Sequence, residues 1–143
     1  GIASVGASKR QLLRLKEIVN DLDDESLTDK VSQLEIDVMA LEFTELRLLS
    51  ELEGGGNPGA ESSILKIKGT EIQQRLTQLF VEAAGEFAVP YGGPEGFMSN
   101  VKPNGPEYTN EVLSKYLNMR KVTIYGGSNE IQKNIIPQYV LGV

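Results

Sequence analysis

Apolar residues in the first half of the chain recur mostly at intervals of three, four or seven positions. This spacing places their side chains on one face of an α-helix, which repeats every 3.6 residues. The first run contains Val5, Leu12, Leu15, Val19 and Leu22, and the second contains Val31, Leu34, Val38, Leu41, Leu48 and Leu52. The second run predicts a helix of about 25 residues, or roughly 37 Å at 1.5 Å per residue. Long helices with such faces are typical of a bundle.

Polar and glycine-rich stretches mark the ends of these two helices. The first helix covers roughly residues 2–22, and the polar stretch 20–24 ends it because short polar side chains compete for backbone hydrogen bonds. Ser26 or Thr28 is then the predicted N-cap of the second helix. The run Gly-Gly-Gly-Asn-Pro-Gly at 54–59 ends that helix. It is interpreted as an interhelical turn and not a phosphate cradle, since no Gly-Lys-Ser/Thr follows it.

A third helix is predicted from about Glu61 to Glu86. Its apolar face consists of Leu65, Ile72, Leu76, Leu79 and Ala83. Gly69 lies inside it at a cost of about 1 kcal/mol relative to Ala, which favours close packing of another helix there. A long loop is predicted at 88–106 and a short helix at about 107–119. The predicted fold is therefore all-α, an antiparallel (up-down) four-helix bundle that forms a single domain over residues 1–143.

Charge and hydropathy exclude several classes of function. Fourteen basic and twenty acidic residues give a net charge of −6, which argues against a nucleic-acid or anionic membrane surface. No apolar run approaches the roughly 20 residues of a transmembrane helix, and no signal-peptide pattern opens the chain. We therefore expect a cytoplasmic protein. The chain begins with Gly1, not Met, so a fragment of a longer protein is expected.

The absence of cysteine and histidine restricts the chemistry further. Disulfides, thiolate nucleophiles and Ser-His-Asp triads are excluded, and a bundle metal site lacks its histidines. Acid–base chemistry would fall to carboxylates, lysine or tyrosine. Lys66, Lys68 and Lys115 could bind a phosphate group, although isolated lysines usually only solubilise a helix.

The residues from Tyr125 to Glu130 have the pattern of a loop that becomes a helix. Tyr125-Gly126-Gly127 permits backbone angles and a close approach that side chains would forbid. Ser128 stands at an N-cap position, and Glu130 in the first turn interacts favourably with the helix dipole. An ordinary helix start needs all of these features, and so does a helix start that faces a ligand.

Two stretches resemble the C-terminal region of the flavin-dependent acyl-CoA dehydrogenases. The run 124–136, Ile-Tyr-Gly-Gly-Ser-Asn-Glu-Ile-Gln-Lys-Asn-Ile-Ile, with Val140-Leu141-Gly142 after it, looks like their terminal signature. The run 62–73, Ser-Ser-Ile-Leu-Lys-Ile-Lys-Gly-Thr-Glu-Ile-Gln, resembles a bacterial subgroup. The resemblance covers the whole chain as the C-terminal helical domain, although the first two helices match in pattern more than in motif.

The resemblance implies a parent subunit of three parts: an N-terminal helical domain, a middle β-domain and this C-terminal bundle. It implies an oxidoreductase of fatty acid metabolism that acts on CH–CH donors and desaturates an acyl-CoA thioester. A glutamate would remove the α-proton while FAD accepts the β-hydrogen as hydride, and an electron-transferring flavoprotein would then take the electrons. The isolated domain is expected to be inactive.

Residue by residue, the resemblance assigns no catalytic group to this chain. Many members carry the catalytic glutamate directly after the motif tyrosine, where this chain has Gly126. Other members carry it on the first helix of this domain, just upstream of where this chain begins. Ser128 matches a flavin-contacting Thr/Ser, and Glu130 matches a position near FAD. Tyr125, Gly126 and Gly127 would line the mouth between flavin and substrate.

The resemblance also implies contacts between subunits. A Gln-x-x-Gly-Gly turn often contacts the FAD of an adjoining subunit, and the matching run here contains Glu82 and Gly85. Its added carboxylates would repel a pyrophosphate, so these contacts are doubtful or are built differently. Homo-oligomers are expected because Ile36 and Phe43 lie outside the core phase of their helix. The alternative is a non-enzymatic bundle or a degenerate subunit that serves oligomerisation or partner binding.

Overall fold

A computed structural model describes residues 5–57, 59–90 and 105–142, and this part of the chain contains helices and no strand. The five α-helices are α1 (Val5–Leu22), α2 (Glu25–Glu53), α3 (Glu61–Ala84), α4 (Val112–Asn118) and α5 (Asn129–Leu141). Three short 3-10 turns cover Gly85–Ala88, Glu107–Thr109 and Met119–Thr123. Most of the loop that the sequence predicts at 88–106 lies outside the described residues.

Cross-helix ion pairs show that α2 is antiparallel to both α1 and α3. As the residue number rises on one helix, it falls on the partner helix. The pairs are Lys9–Glu42 (2.7 Å) and Lys16–Glu35 (2.8 Å) between α1 and α2, and Lys30–Glu82 (2.7 Å) and Asp37–Arg75 between α2 and α3. Exposed pairs of this kind contribute at most about 1 kcal/mol each, so the apolar core holds the helices together.

The fourth member of the bundle is the segment 107–123, which runs back along α3. The Tyr108 hydroxyl donates to the Ala83 carbonyl (3.2 Å) near one end, and Gln74 Nε2 donates to the Arg120 carbonyl (3.2 Å) further along. The all-α antiparallel bundle is therefore confirmed. A helix is present at Val112–Asn118, within the predicted range 107–119, but 3-10 turns flank it on both sides. At the first end the Thr109 hydroxyl donates to the Pro106 carbonyl (2.7 Å), and such local bonds compete with regular helix.

The core is formed by the predicted apolar faces, with two exceptions at helix ends. Leu15, Leu34 and Leu76 are completely buried in one cluster that joins α1, α2 and α3. Leu22 and Leu52 were expected in this core, but their side chains are 44% and 39% exposed. Both lie in the last turn of their helices, where the bundle no longer covers the apolar face.

The N-cap of α2 also differs from the sequence prediction. Asp24 has an extended backbone, and its Oδ1 accepts the Leu27 N–H at 3.0 Å. Ser26 and Thr28 lie within the helix, and the Thr28 hydroxyl donates to the Asp24 carbonyl at 2.8 Å. A carboxylate cap at this end also interacts favourably with the helix dipole, so α2 begins earlier than predicted.

Truncation of Leu15 tests the importance of the core. We expect Leu15→Ala to lower the free energy of unfolding by about 2–5 kcal/mol, because it leaves a cavity at a fully buried position. Leu13→Ala is the matched control on the same helix, since the Leu13 side chain is 61% exposed. Urea denaturation followed by circular dichroism measures both, and equal losses would contradict the assigned face of α1.

Candidate functional site

The loop between the Met119–Thr123 turn and α5 depends on two glycines with left-handed backbone angles. Gly126 has φ +68° and Gly127 has φ +87°, a region that other residues adopt only with strain. A Cβ at Gly127 would lie 2.7 Å from Gln132 Nε2, whereas a Cβ at Gly126 would meet no atom within 4 Å. The loop is therefore crowded at Gly127, whereas the space beside Gly126 is open.

Ser128 caps α5, as the sequence predicts. Its backbone is extended, and its Oγ accepts the Ile131 N–H at 3.4 Å. Glu130 lies in the first turn and is fully exposed. A hydrogen bond from its own backbone N–H, followed by one from the Ser128 hydroxyl, lowers the pKa of Glu130. The two side chains thus place a polar, anionic surface at the start of α5.

A buried hydrogen-bond cluster attaches both ends of this loop to α3. Lys66 Nζ donates to the Val122 carbonyl at 2.8 Å and to Asn129 Oδ1 at 3.4 Å. Asn129 Nδ2 in turn donates to Thr70 Oγ1 at 3.1 Å, and the Asn129 side chain is only 5% exposed. Gly69, predicted to mark close packing, is buried next to Thr70 on this side of α3.

Arg120 forms a second attachment, which the sequence did not reveal. Its guanidinium donates to the Gln74 carbonyl (3.0 Å) and to Thr77 Oγ1 (3.2 Å), and its Nε donates to the Tyr116 carbonyl (3.1 Å). The cation also lies 4.3 Å from the centre of the Tyr116 ring, within the range of a cation–π interaction. These contacts hold the end of α4 against the middle of α3.

A cavity of about 630 Å³ lies between α1, α3 and α4, and Tyr125 is among its lining residues. This volume is within the range of small-molecule sites. Phe80 and Met119 contribute apolar surface, and Thr77 and Arg14 contribute polar groups. The cavity is therefore amphipathic, and the terminal loop reaches it through the aromatic side chain that precedes the two glycines.

The candidate cofactor residues Glu82 and Gly85 do not join this loop. Residues 66 and 82 are 16 positions apart on α3, or roughly 24 Å at 1.5 Å per residue. Glu82 pairs with Lys30 at 2.7 Å, and the hydrogen bond from Lys30 lowers the pKa of Glu82. Gly85 has φ +55° and ends α3. Their proposed contact with FAD of another subunit stays a prediction.

Two of the three lysines considered as phosphate ligands are occupied by acidic neighbours. Lys68 pairs with Glu71 at 2.9 Å, and Lys115 pairs with Glu111 at 2.6 Å. Within residues 5–57, 59–90 and 105–142, no group of three metal-ligating side chains comes together. Over the same part of the chain, no helix is long and apolar enough to cross a membrane.

The sequence of this chain matches the model of a known protein family. The model of the family described as "Acyl-CoA dehydrogenase, C-terminal domain" matches residues 19–141. This match covers α2 to α5, the Lys66–Asn129 cluster and the terminal loop. The chain belongs to this family, in agreement with the resemblance of its two motifs.

Two proteins from Mycobacterium tuberculosis are similar to this chain, one in sequence and one in fold. Acyl-CoA dehydrogenase FadE34 is 25% identical over 130 residues, which are 90% of this chain and 16% of that protein. A chain of the ChsE4–ChsE5 complex has the same fold, with a TM-score of 0.76 and 20% identity, over 100% of this chain and 37% of that one. The chain thus spans less than half the length of either relative.

Removal of the Asn129 side chain tests the buried cluster. We expect Asn129→Ala to lower the free energy of unfolding by about 1–3 kcal/mol, because it removes buried hydrogen bonds and leaves their partner groups unsatisfied. Asn134→Ala on the same helix is the control, since Asn134 is exposed. Thermal denaturation of both variants measures the difference, and a loss as small as that of Asn134→Ala would show that the cluster does not stabilise α5.

Proposed function

We propose that this chain is the C-terminal domain of a flavin-dependent acyl-CoA dehydrogenase and contributes one wall of its FAD and substrate site. The observation that carries the proposal is the loop 125–128, which the family match includes and whose two left-handed glycines leave the side at Gly126 open. The parent enzyme would desaturate an acyl-CoA thioester between its α- and β-carbons. The N-terminal helical and middle β-domains would belong to the rest of that parent protein.

The residues of the loop suit a flavin on chemical and steric grounds. A thioester held against the flavin could approach the backbone at Gly126 because no side chain blocks it. FAD, when bound, supplies the acceptor for the hydride. Gly127, Ser128 and Glu130 are proposed to contact the cofactor, and Tyr125 and Gly126 to border the acyl thioester. The position of Tyr125 on the cavity supports its assignment to the substrate side.

The catalytic base is proposed to lie outside this chain. Gly126 stands at the position where many members of the family have a glutamate, and a glycine cannot accept a proton. The base would then come from the alternative position upstream of Gly1, so that its carboxylate reaches the same substrate carbon. An electron-transferring flavoprotein is the proposed electron acceptor, and the cytoplasm is the proposed location.

Reduction of the bound flavin tests the reaction. We expect the full-length parent protein to bind FAD and its visible absorption to bleach when an acyl-CoA is added without oxygen. Residues 1–143 alone, with FAD added, should give no turnover because they lack a base and most of the flavin site. A parent protein that binds no flavin, or measurable dehydrogenation by the chain alone, would contradict the proposal.

A role in assembly is the second candidate, and α2 favours it. The helix has a second apolar face away from the core, since two positions along a helix correspond to a rotation of about 200°. Its exposed members are Ile36, Met39, Phe43 and Leu46. An apolar surface of this kind marks an interaction site. We propose that it contacts another subunit, either in an active homo-oligomer or in a degenerate subunit that only completes an assembly.

Charge on this face tests the assembly. We expect Phe43→Glu to shift the oligomer towards the monomer, because a carboxylate replaces a side chain that is 63% exposed in the single chain. Gln33→Glu adds the same charge to an exposed position of α2 outside this face and should leave the assembly unchanged. Light scattering at micromolar concentration distinguishes them, and a monomeric unmodified chain would remove the support for this role.

A further inference from the structure

The loop 123–128 has little packing of its own. Ile124, Tyr125 and both glycines are exposed, and Thr123 and Ser128 are only half-buried. The residues at its two ends are different, because Val122 and Asn129 are both buried. The geometry of the loop therefore depends on what holds these two ends, and not on contacts of the loop itself.

One ammonium group contacts both ends. Lys66 Nζ lies 2.8 Å from the Val122 carbonyl oxygen and 3.4 Å from Asn129 Oδ1. The Val122 carbonyl belongs to the Met119–Thr123 turn, whose last carbonyls lack partners within the turn. A lysine has three donors, so it can satisfy both oxygens at once. The amine thus links the end of one element to the start of the next, six residues later.

Stabilisation of α5 alone does not explain why the positive charge of Lys66 lies at the start of this helix. A cation near the N-terminus of a helix interacts unfavourably with the helix dipole, whereas a cation near terminal carbonyls interacts favourably with them. Lys66 lies near both the α5 start and the Val122 carbonyl. Neighbouring Lys68 pairs with Glu71 and has neither of these contacts. The geometry therefore favours a bridging role for Lys66 over a general stabilising one.

We infer that Lys66 is a positioning residue that sets the separation of the two loop ends and thereby holds Tyr125, the two glycines and Ser128 in one arrangement. The use of this arrangement in the flavin and substrate site rests on the proposed function. The bridge itself rests only on contacts within this chain. At least two of the three donors of the Lys66 amine are used within the protein.

Amide hydrogen exchange in the full chain tests the bridge without flavin or substrate. The useful probes are four hydrogen-bonded amides, two within the loop and two in the first turn of α5: Ile124, Tyr125, Ile131 and Gln132. We expect Lys66→Met, which keeps the aliphatic stem, to accelerate their exchange by about tenfold or more, because a hydrogen-bonded charge is lost at both ends. Exchange in the middle of α1 and α2 should not change.

Two further variants complete the test. Lys68→Met removes a lysine two positions away and should leave the four amides unchanged. Lys66→Arg keeps a cation with several donors and should restore part of the protection. Unchanged exchange in Lys66→Met would overturn the inference. Equal acceleration in α1, α2 and the loop would also overturn it, because Lys66 would then act only through overall stability. No recovery with arginine would overturn it as well, because a cation with several donors would then not be what holds the loop.

The result of the exchange experiment can be distinguished from the result of the flavin test of the proposed function. A parent protein that binds no flavin would refute the proposed function and leave the exchange result intact. A flavoprotein with normal substrate-dependent bleaching, in which Lys66→Met changes no amide near the loop, would retain the proposed function and refute the bridge.

Discussion

The packing of α3 is the constraint on which the rest of the structure depends. Its apolar face closes the core with α1 and α2, and its polar side chains hold the returning segment 107–123 and the start of α5. The loop 123–128 has little packing of its own and takes its position from this helix. The core and the site are therefore coupled through one element, with hydrophobic burial on one side and directional hydrogen bonds on the other.

The sequence predicted the parts of the fold that periodicity controls. The faces of α1, α2 and α3 followed from the spacing of Leu and Val, and the cap at Ser128 followed from local chemistry. The N-cap Asp24 and the 3-10 turns that flank α4 did not follow, because they depend on which neighbouring polar side chain bonds the free backbone groups. For the candidate site, the sequence pattern predicted the loop but not the bridge by Lys66. Lys66 contacts Val122 and Asn129, which lie 56 and 63 positions further along the chain, and no local pattern indicates such a contact.

The family assignment, together with the absence of a carboxylate at Gly126, suggests that this chain and the rest of the proposed parent enzyme supply different parts of the active site. The chain offers a loop that is open at Gly126, a cavity beside an aromatic side chain, and an apolar face on α2. It offers no acid–base group at the expected position. In this interpretation, the domain shapes and completes a site, and proton transfer is the work of residues elsewhere in the parent protein.

The backbone at Gly126 limits which residues this position can hold. A Cβ there would meet no atom within 4 Å, but a residue with φ +68° is most easily Gly, and after it Asn or Asp. A glutamate would have to accept a strained conformation or reshape the whole turn, including Gly127. In the turn as it stands, a carboxylate at this position therefore carries a conformational cost that glycine does not.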